Sequence, residues 1–237
     1  MSEINIFIEY FFEDGGYHNF LDGLTNTVII AVSGLLIGIL LGSVLAIVKI
    51  IPSKNPIVII CQKLCDVYIA LFRGTPMVVQ LLLMHFALFP MLGLNIESVA
   101  EACLIFGLNS AAYISEIMRG GINAVDKGQM EAGRSLGLTK LTTMTKIIIP
   151  QAVKNVIPSI GNELIALVKE TAIIPIVGAT VGTLTFDLNQ AVTTLNFELA
   201  SYMAPALIAA LLYLAIVYAI TLAIKLFERK MQSNDKR

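Results

Sequence analysis

Charge is scarce in this chain. Only 14% of its 237 residues are charged, against roughly 25% in a soluble domain, while 57% are hydrophobic and the mean hydropathy is +0.81. That balance excludes an ordinary water-soluble fold and points to a bilayer. Histidine is scarcer still: His18 and His85 stand isolated in the sequence, and neither reads as a ligand. With no metalloprotease helix and no catalytic triad signature, the chain is not expected to be an enzyme. The Gly-x4-Gly-Lys-Ser/Thr sequence that cradles nucleotide phosphates is absent, which excludes ATP hydrolysis by this polypeptide. Cys61, Cys65 and Cys103 form no disulfide framework. Cys61 and Cys65 share a helical face, but no nearby ligand set completes a metal site, so all three read as small packing residues. The N-terminus lacks the basic flank and small-residue cleavage site of a signal peptide.

What the chain has is long apolar runs. A helix needs about 20 apolar residues to cross the hydrocarbon core. Candidates are Leu24 to Val48, a broken stretch from Ile57 to Leu92, Val99 to Met118, Val156 to Val181, and Met203 to Ile224. The segment before the first run holds no Lys or Arg but five acids, Glu3, Glu9, Glu13, Asp14 and Asp22, which predicts an outside N-terminus. Five crossings then put 14 of the 16 basic residues at or near the inner side, with Arg73 and Lys169 in apolar stretches. The outer connectors, Pro90 to Ser98 and Gly182 to Tyr202, carry none. The expected organisation is an external segment over residues 1–23, a transmembrane domain over 24–226 with a cytoplasmic loop at about 121–154, and a cytoplasmic tail over 227–237. Phe7, Tyr10, Phe11 and Phe12 suit an interfacial helix in the external segment.

Two runs carry internal marks. Gly34, Gly38, Gly42 and Ala46 place a smooth stripe on one face of the first, fit for a close helix crossing within the subunit or for a dimer contact, the former preferred. The second run, 36 residues long, would reach about 54 Å as one helix. Arg73-Gly74-Thr75-Pro76 interrupts it, because proline removes a donor and disfavours helix at the residue before it. The expectation is an amphipathic inner-surface segment around Cys61 to Phe72, with Lys63 and Asp66 paired at i and i+3, then a bend and the crossing.

The basic loop carries apolar residues at intervals: Val125, Met130, Leu136, Leu138, Leu141 and Met144. Amphipathic helices broken at Gly137, with the glycine as a left-handed cap, account for them. Within the loop stand Glu131-Ala132-Gly133-Arg134-Ser135-Leu136-Gly137, nine residues, and Ile147-Ile148-Ile149-Pro150. This resembles the EAA loop of ATP-binding cassette importer permeases, with Gly133 for the second Ala and Ile149 for Leu. Phe72 to Pro76 with Gln80-Leu81, Ala112 to Ile122, Gly128 to Ala132, Pro150-Gln151-Ala152, and Asn162-Glu163 with Lys169 resemble the polar amino acid branch of that family, the histidine, glutamine and arginine type. The resemblance covers most of Phe72 to Thr171. Ala172 stands where that branch often has Ser.

The resemblance implies an all-α, five-helix type I permease of the MetI-like fold in the bacterial inner membrane, moving a polar amino acid by alternating access. It implies ABC ATPase subunits, a second permease copy or paralogue, an extracytoplasmic solute-binding protein, an amino acid substrate and membrane lipid as partners, and no nucleic acid. This chain itself would bind no cofactor; ATP and Mg would be used by the ATPase. By residue match, Glu131, Ala132, Gly133 and Gly137 would form the ATPase contact.

Polar residues in a span are costly and default to functional candidates. Asn162 and Lys169 share one face of the fourth predicted span, and Glu163 and Glu170 share another about 100° away. A carboxylate suits an α-ammonium group and a cation suits an α-carboxylate. The alternative is an internal network of Asn162, Glu163, Lys169, Glu170 and Arg73. The two readings balance for Glu163; the structural one is preferred for Lys169 and Arg73. Pro175, Gly178 and Gly182 would break the outer end of that helix. Two rival functions stay open: a proton-coupled secondary transporter using the buried carboxylates, for which five spans without internal repeat are few, and a non-conducting scaffold subunit.

Overall fold

The computed structural model describes residues 8–9, 11–13, 16–174 and 203–235, with the backbone alone at 204 and 231–235. Every described element is helical. Helix α1 spans Tyr17–Ile50 and α2 spans Pro56–Gly74. Helix α3, Met77–Leu83, continues through a π turn, Met84–Leu88, into a last turn, Phe89–Met91. Helix α4 is Ser98–Asn123 and α5 is Gly128–Ser135. Helix α6, Lys140–Thr143, runs through a second π turn, Met144–Ile148, into α7, Ile149–Glu170. Helix α8 is Met203–Asp235.

The glycine stripe belongs to the subunit's own core. Helices α1 and α4 share the largest contact of the bundle. A Cβ at residue 34 would meet Phe106 Cβ at 3.0 Å, one at 38 would lie 2.6 Å from Ser110 Oγ, and one at 42 would lie 2.8 Å from the Ala111 carbonyl oxygen. Backbones brought this close gain dispersion contacts that lipid cannot supply equally well. The opposite face of α1, with Leu36, Leu40, Val44 and Ile47, is open.

Helix α1 starts at Tyr17, so residues 17–23 of the expected external segment are helical and continuous with α1. The reason is Phe20, which is buried and meets the Phe11 ring at 5.6 Å. Expectations that rest on Phe7 and Tyr10 lie outside the described residues. At the other end α8 runs to Asp235, carrying the expected tail on the same helix.

The break in the second run lies where proline places it. Asn55 Oδ1 accepts from Ile57 N at 2.9 Å and Pro56 occupies the first turn, which starts α2. Thr75 is extended before Pro76, and the chain direction turns by 109° into α3. Pro76 has no N–H for the Phe72 carbonyl four residues back. Gln80 Nε2 supplies the donor instead, at 2.8 Å, and also reaches the Thr75 carbonyl at 3.0 Å. Asn109 Nδ2 of α4 then donates to Gln80 Oε1 at 2.8 Å. Replacing Gln80 by Leu would leave the Phe72 carbonyl and Asn109 without this partner in a buried site, at about 1–3 kcal/mol. The variant should melt several degrees below the parent in detergent, as read by differential scanning fluorimetry; an unchanged melting temperature would show the break to be solvated by other means.

Both π turns precede a proline by the same offset. Phe89 N donates to the Met84 carbonyl before Pro90, and Ile149 N donates to the Met144 carbonyl before Pro150. A proline ring collides with the carbonyl four residues earlier, and the widened turn moves that carbonyl aside so that the helix continues.

Among the described residues, three helices are long and apolar enough to cross a membrane, namely α1, α4 and the Pro205–Lys230 part of α8, and the bent α2–α3 pair makes a fourth if it counts as one span. Helix α7, with Lys154, Glu163, Lys169 and Glu170, is more polar than these. It packs against α4, α8 and α1. It begins before the expected Val156, and Pro175, Gly178 and Gly182 lie outside the described residues.

Candidate functional site

Two regions concentrate the polar chemistry. The first is the loop between α4 and α7. Asp126 Oδ1 accepts from Gly128 N at 2.6 Å and opens α5. Its end is a Schellman motif: Gly137 N donates to the Arg134 carbonyl at 3.0 Å and Leu138 N to the Gly133 carbonyl at 3.1 Å, with Gly137 at φ +80°. Arg134 Nη1 bonds the Leu138 carbonyl at 2.7 Å, and Thr139 Oγ1 accepts from Thr142 N at 3.1 Å to start α6. The left-handed cap expected at Gly137 is present.

The apolar residues of the loop divide into two sets. Val125, Ile148 and Ala152, with Ile122, Met130 and Met144, make a small core beneath α5. Leu136 and Leu141 point out, at 80% and 73% exposure. Glu131 and Ala132 are exposed beside them, and nothing lies within 4 Å of a Cβ at Gly137. Gly133 faces the other way: it is buried, and a Cβ there would fall 2.8 Å from Thr143 Oγ1. The outward surface of the loop is therefore Glu131, Ala132, Leu136, Gly137 and Leu141, and Gly133 serves the loop's own packing.

The second region lies among α1, α4 and α7. Ser110 Oγ of α4 donates to Glu163 Oε1 of α7 at 2.9 Å, and Gly38 of α1 leaves the space that Ser110 fills. Glu170 is partly buried on the same face as Glu163, while Asn162 and Lys169 are exposed on the neighbouring one.

Arg73 is elsewhere. Its guanidinium stands 5.3 Å from the Tyr113 ring centroid, and its Nη1 is 4.0 Å from Glu116 Oε2. Glu116 also meets Lys49 Nζ at 3.0 Å and Arg119 Nε at 3.2 Å. Asp66 meets Lys49 at 3.0 Å. The alternative reading, one internal network of Arg73, Asn162, Glu163, Lys169 and Glu170, does not include Arg73, because α2 carries it to the Glu116 end of α4. Asp66 takes Lys49 rather than Lys63, since Lys49 on α1 reaches it across the helix crossing.

Two further corrections concern residues read as isolated or passed over. His85 Nδ1 lies 2.7 Å from Glu101 Oε1, and Glu101 is buried. Sequence separation hides this pair. Gln80 was visible only as part of a motif, yet a glutamine four residues beyond an intramembrane proline is a signal for a replaced donor.

A model of the binding-protein-dependent transport system inner membrane component matches residues 34–233. The chain belongs to that family. It is a multi-pass inner membrane permease, and the ATPase of such systems is a separate subunit. The chain is 43% identical over 215 residues to the arginine transport system permease protein ArtQ of Bacillus subtilis, covering 91% of this chain and 93% of ArtQ. It is 38% identical to the putative glutamine transport system permease protein GlnP of Rickettsia conorii, covering 90% of this chain and 93% of GlnP. A crystal structure of an amino acid ABC transporter with histidines matches with a TM-score of 0.83 and 33% identity, over 97% of this chain and 99% of that one. The fold is the all-helical MetI-like ABC permease fold. As a binding-protein-dependent permease, the chain works with an ATPase and a binding protein.

Proposed function

We propose that this permease imports a polar amino acid of the arginine, glutamine or histidine type across the bacterial cytoplasmic membrane, working with a second permease copy or paralogue and driven by Mg–ATP hydrolysis in the partner ATPase. The observation that carries the reading is the continuity of the exposed loop surface with the helix holding Glu163. Glu131, Ala132, Leu136 and Leu141 stand on the segment that leads through α6 and the π turn into α7, which carries the partly buried Glu163. The arginine and glutamine transport systems of ArtQ and GlnP, and the histidines of the solved transporter, support the substrate class.

In this mechanism the binding protein delivers substrate at the outer face. Glu163, fixed by Ser110, meets the α-ammonium or a basic side chain, with Glu170 extending the acidic face. Asn162 and Lys169, on the exposed face of α7, offer an amide and a cation to the α-carboxylate. Arg73 acts through Glu116 to hold α2. Docking of the ATPase dimer on the loop then switches access from outside to inside. The ATP requirement is tested in proteoliposomes containing permease, ATPase and binding protein. Uptake of labelled amino acid should require ATP on the ATPase side; uptake without ATP under a proton gradient would favour a secondary transporter, and no uptake of any of the three amino acids would favour a scaffold.

The five apolar runs support five crossings, and the basic-residue distribution supports an outside N-terminus. In a variant without native cysteines, single cysteines at Asn5 or Asn189, both outside the described residues, should react with a membrane-impermeant maleimide added to intact cells. Those at Lys140 or Ser233 should not. Labelling at Lys140 in sealed cells would overturn this topology.

A further inference from the structure

Gly133 and Thr143 join α5 to α6 with no room for a side chain at 133. Thr143 is fully buried, and its side chain occupies the space that a Cβ at residue 133 would fill: the Cβ would lie 2.8 Å from Thr143 Oγ1 and 3.2 Å from Thr143 Cβ, with Cγ2 closer still. Thr143 is itself fixed, its N and Oγ1 bonding the Thr139 carbonyl at 2.9 and 3.0 Å. It is also the last residue before the π turn Met144–Ile148. A π turn interrupts the regular i→i+4 ladder of a helix, and such single turns recur at functional sites; here Ile149 N reaches back five residues to the Met144 carbonyl. The turn is bridged. On its α6 side Gly133 clasps Thr143. On its α7 side Gln151 Nε2 meets Gln129 Oε1 at 3.4 Å, and Ile148 and Ala152 pack with Val125 and Met130. Helix α5 therefore splints the turn across both ends.

We propose that Gly133 and Thr143 form a latch that holds α5 to the base of α7 across the π turn, so that the ATPase-facing helix and the helix carrying Glu163 move as one body. This rests on the reading of α5 as the ATPase-docking helix. Both are positioning residues, since neither meets substrate. Glycine at 133 is demanded by the threonine and not by the ATPase, which separates its role from those of Glu131, Ala132 and Gly137. Without the latch, force applied to α5 would bend the chain at Met144–Ile148 instead of moving Glu163.

The test is a double-variant cycle on the assembled transporter in proteoliposomes, with parent, Gly133→Ala, Thr143→Ala and the pair, using labelled arginine, glutamine and histidine. The readout is amino acid transported per ATP hydrolysed, which a loss of abundance alone does not change. Gly133→Ala should lower that ratio about fivefold, the small end of coupling between distant sites, with the ATPase still co-purifying. The pair should recover most of it, because removing Oγ1 and Cγ2 leaves only the Thr143 Cβ at 3.2 Å. A parental ratio in Gly133→Ala, or a pair no better than Gly133→Ala, would overturn the latch. The docking reading fails separately, through Gly137→Asp, if that variant keeps its ATPase and its stimulated hydrolysis.

Discussion

A Gly137→Asp permease is expected to insert and accumulate at the parental level yet lose its ATPase on purification, with transport falling by about a hundredfold. Residue 137 sits at φ +80° with nothing within 4 Å of a Cβ, so no side-chain collision contributes. The backbone cost of a non-glycine residue in the left-handed region is on the order of 1 kcal/mol, less for Asp and Asn than for others. The remainder comes from a charge forced into a packed contact beside Leu136 and Leu141, where an unmatched charge costs about 2–3 kcal/mol or more. Gly137→Asn, of the same shape and tolerated in the same conformation, separates the terms: it should retain most of the transport. Normal co-purification and normal binding-protein-stimulated hydrolysis in Gly137→Asp would remove the loop from its coupling role. Equal damage from Asn would move the cause from charge to shape.

The second large effect is expected from Glu163→Gln. The amide keeps an oxygen for the Ser110 hydroxyl, now 2.9 Å from Glu163 Oε1, so the α4–α7 contact should survive and the complex should assemble. What is lost is the negative charge. Removing one partner of a desolvated charge pair costs about 2–5 kcal/mol, which corresponds to at least about thirtyfold in transport. Initial rates of uptake at several substrate concentrations measure it. Full transport at normal affinity would reduce Glu163 to a packing role, and failure to assemble would make it a structural part of the α4–α7 contact through Ser110. Ser110→Ala, which leaves the charge and removes only its tether, should cost less than Glu163→Gln.

In the loop between α4 and α7, the left-handed cap at Gly137 was legible from the residues because it is local. Asp126, Gly128, Gly137 and Thr139 set caps and turns within a few residues of themselves, and such chemistry depends little on the rest of the fold. The break at Pro76 was legible for the same reason. The direction each loop residue faces was not. Val125, Met130, Leu136 and Leu141 are equally apolar, and only the path of α7 beneath α5 sends the first two inward and the last two out. Gly133 reads in the motif as one of the small docking residues, and only Thr143, ten positions later, turns it toward the protein's own interior.

The charged residues divide along the same line. That basic residues favour one side follows from the positive-inside bias of membrane loops, and that a carboxylate in a span needs a reason follows from its solvation cost; neither needs coordinates. Partner choice is a matter of helix crossings. Arg73 and Glu163 both lie in apolar stretches, yet one stands by Tyr113 and Glu116 while the other bonds Ser110. His85 with Glu101, and Lys49 with Asp66, join residues 16 and 17 positions apart in sequence through contacts between different helices. Composition and turn chemistry by themselves determined the bilayer setting and the local caps, because those depend on transfer free energies and short-range backbone geometry, while the family was legible through the resemblance of its motifs. The tertiary structure alone decided which polar groups meet, because the rotation and depth of one helix against another are set by close packing along stripes such as Gly34, Gly38 and Gly42, and no local pattern encodes the partner's register.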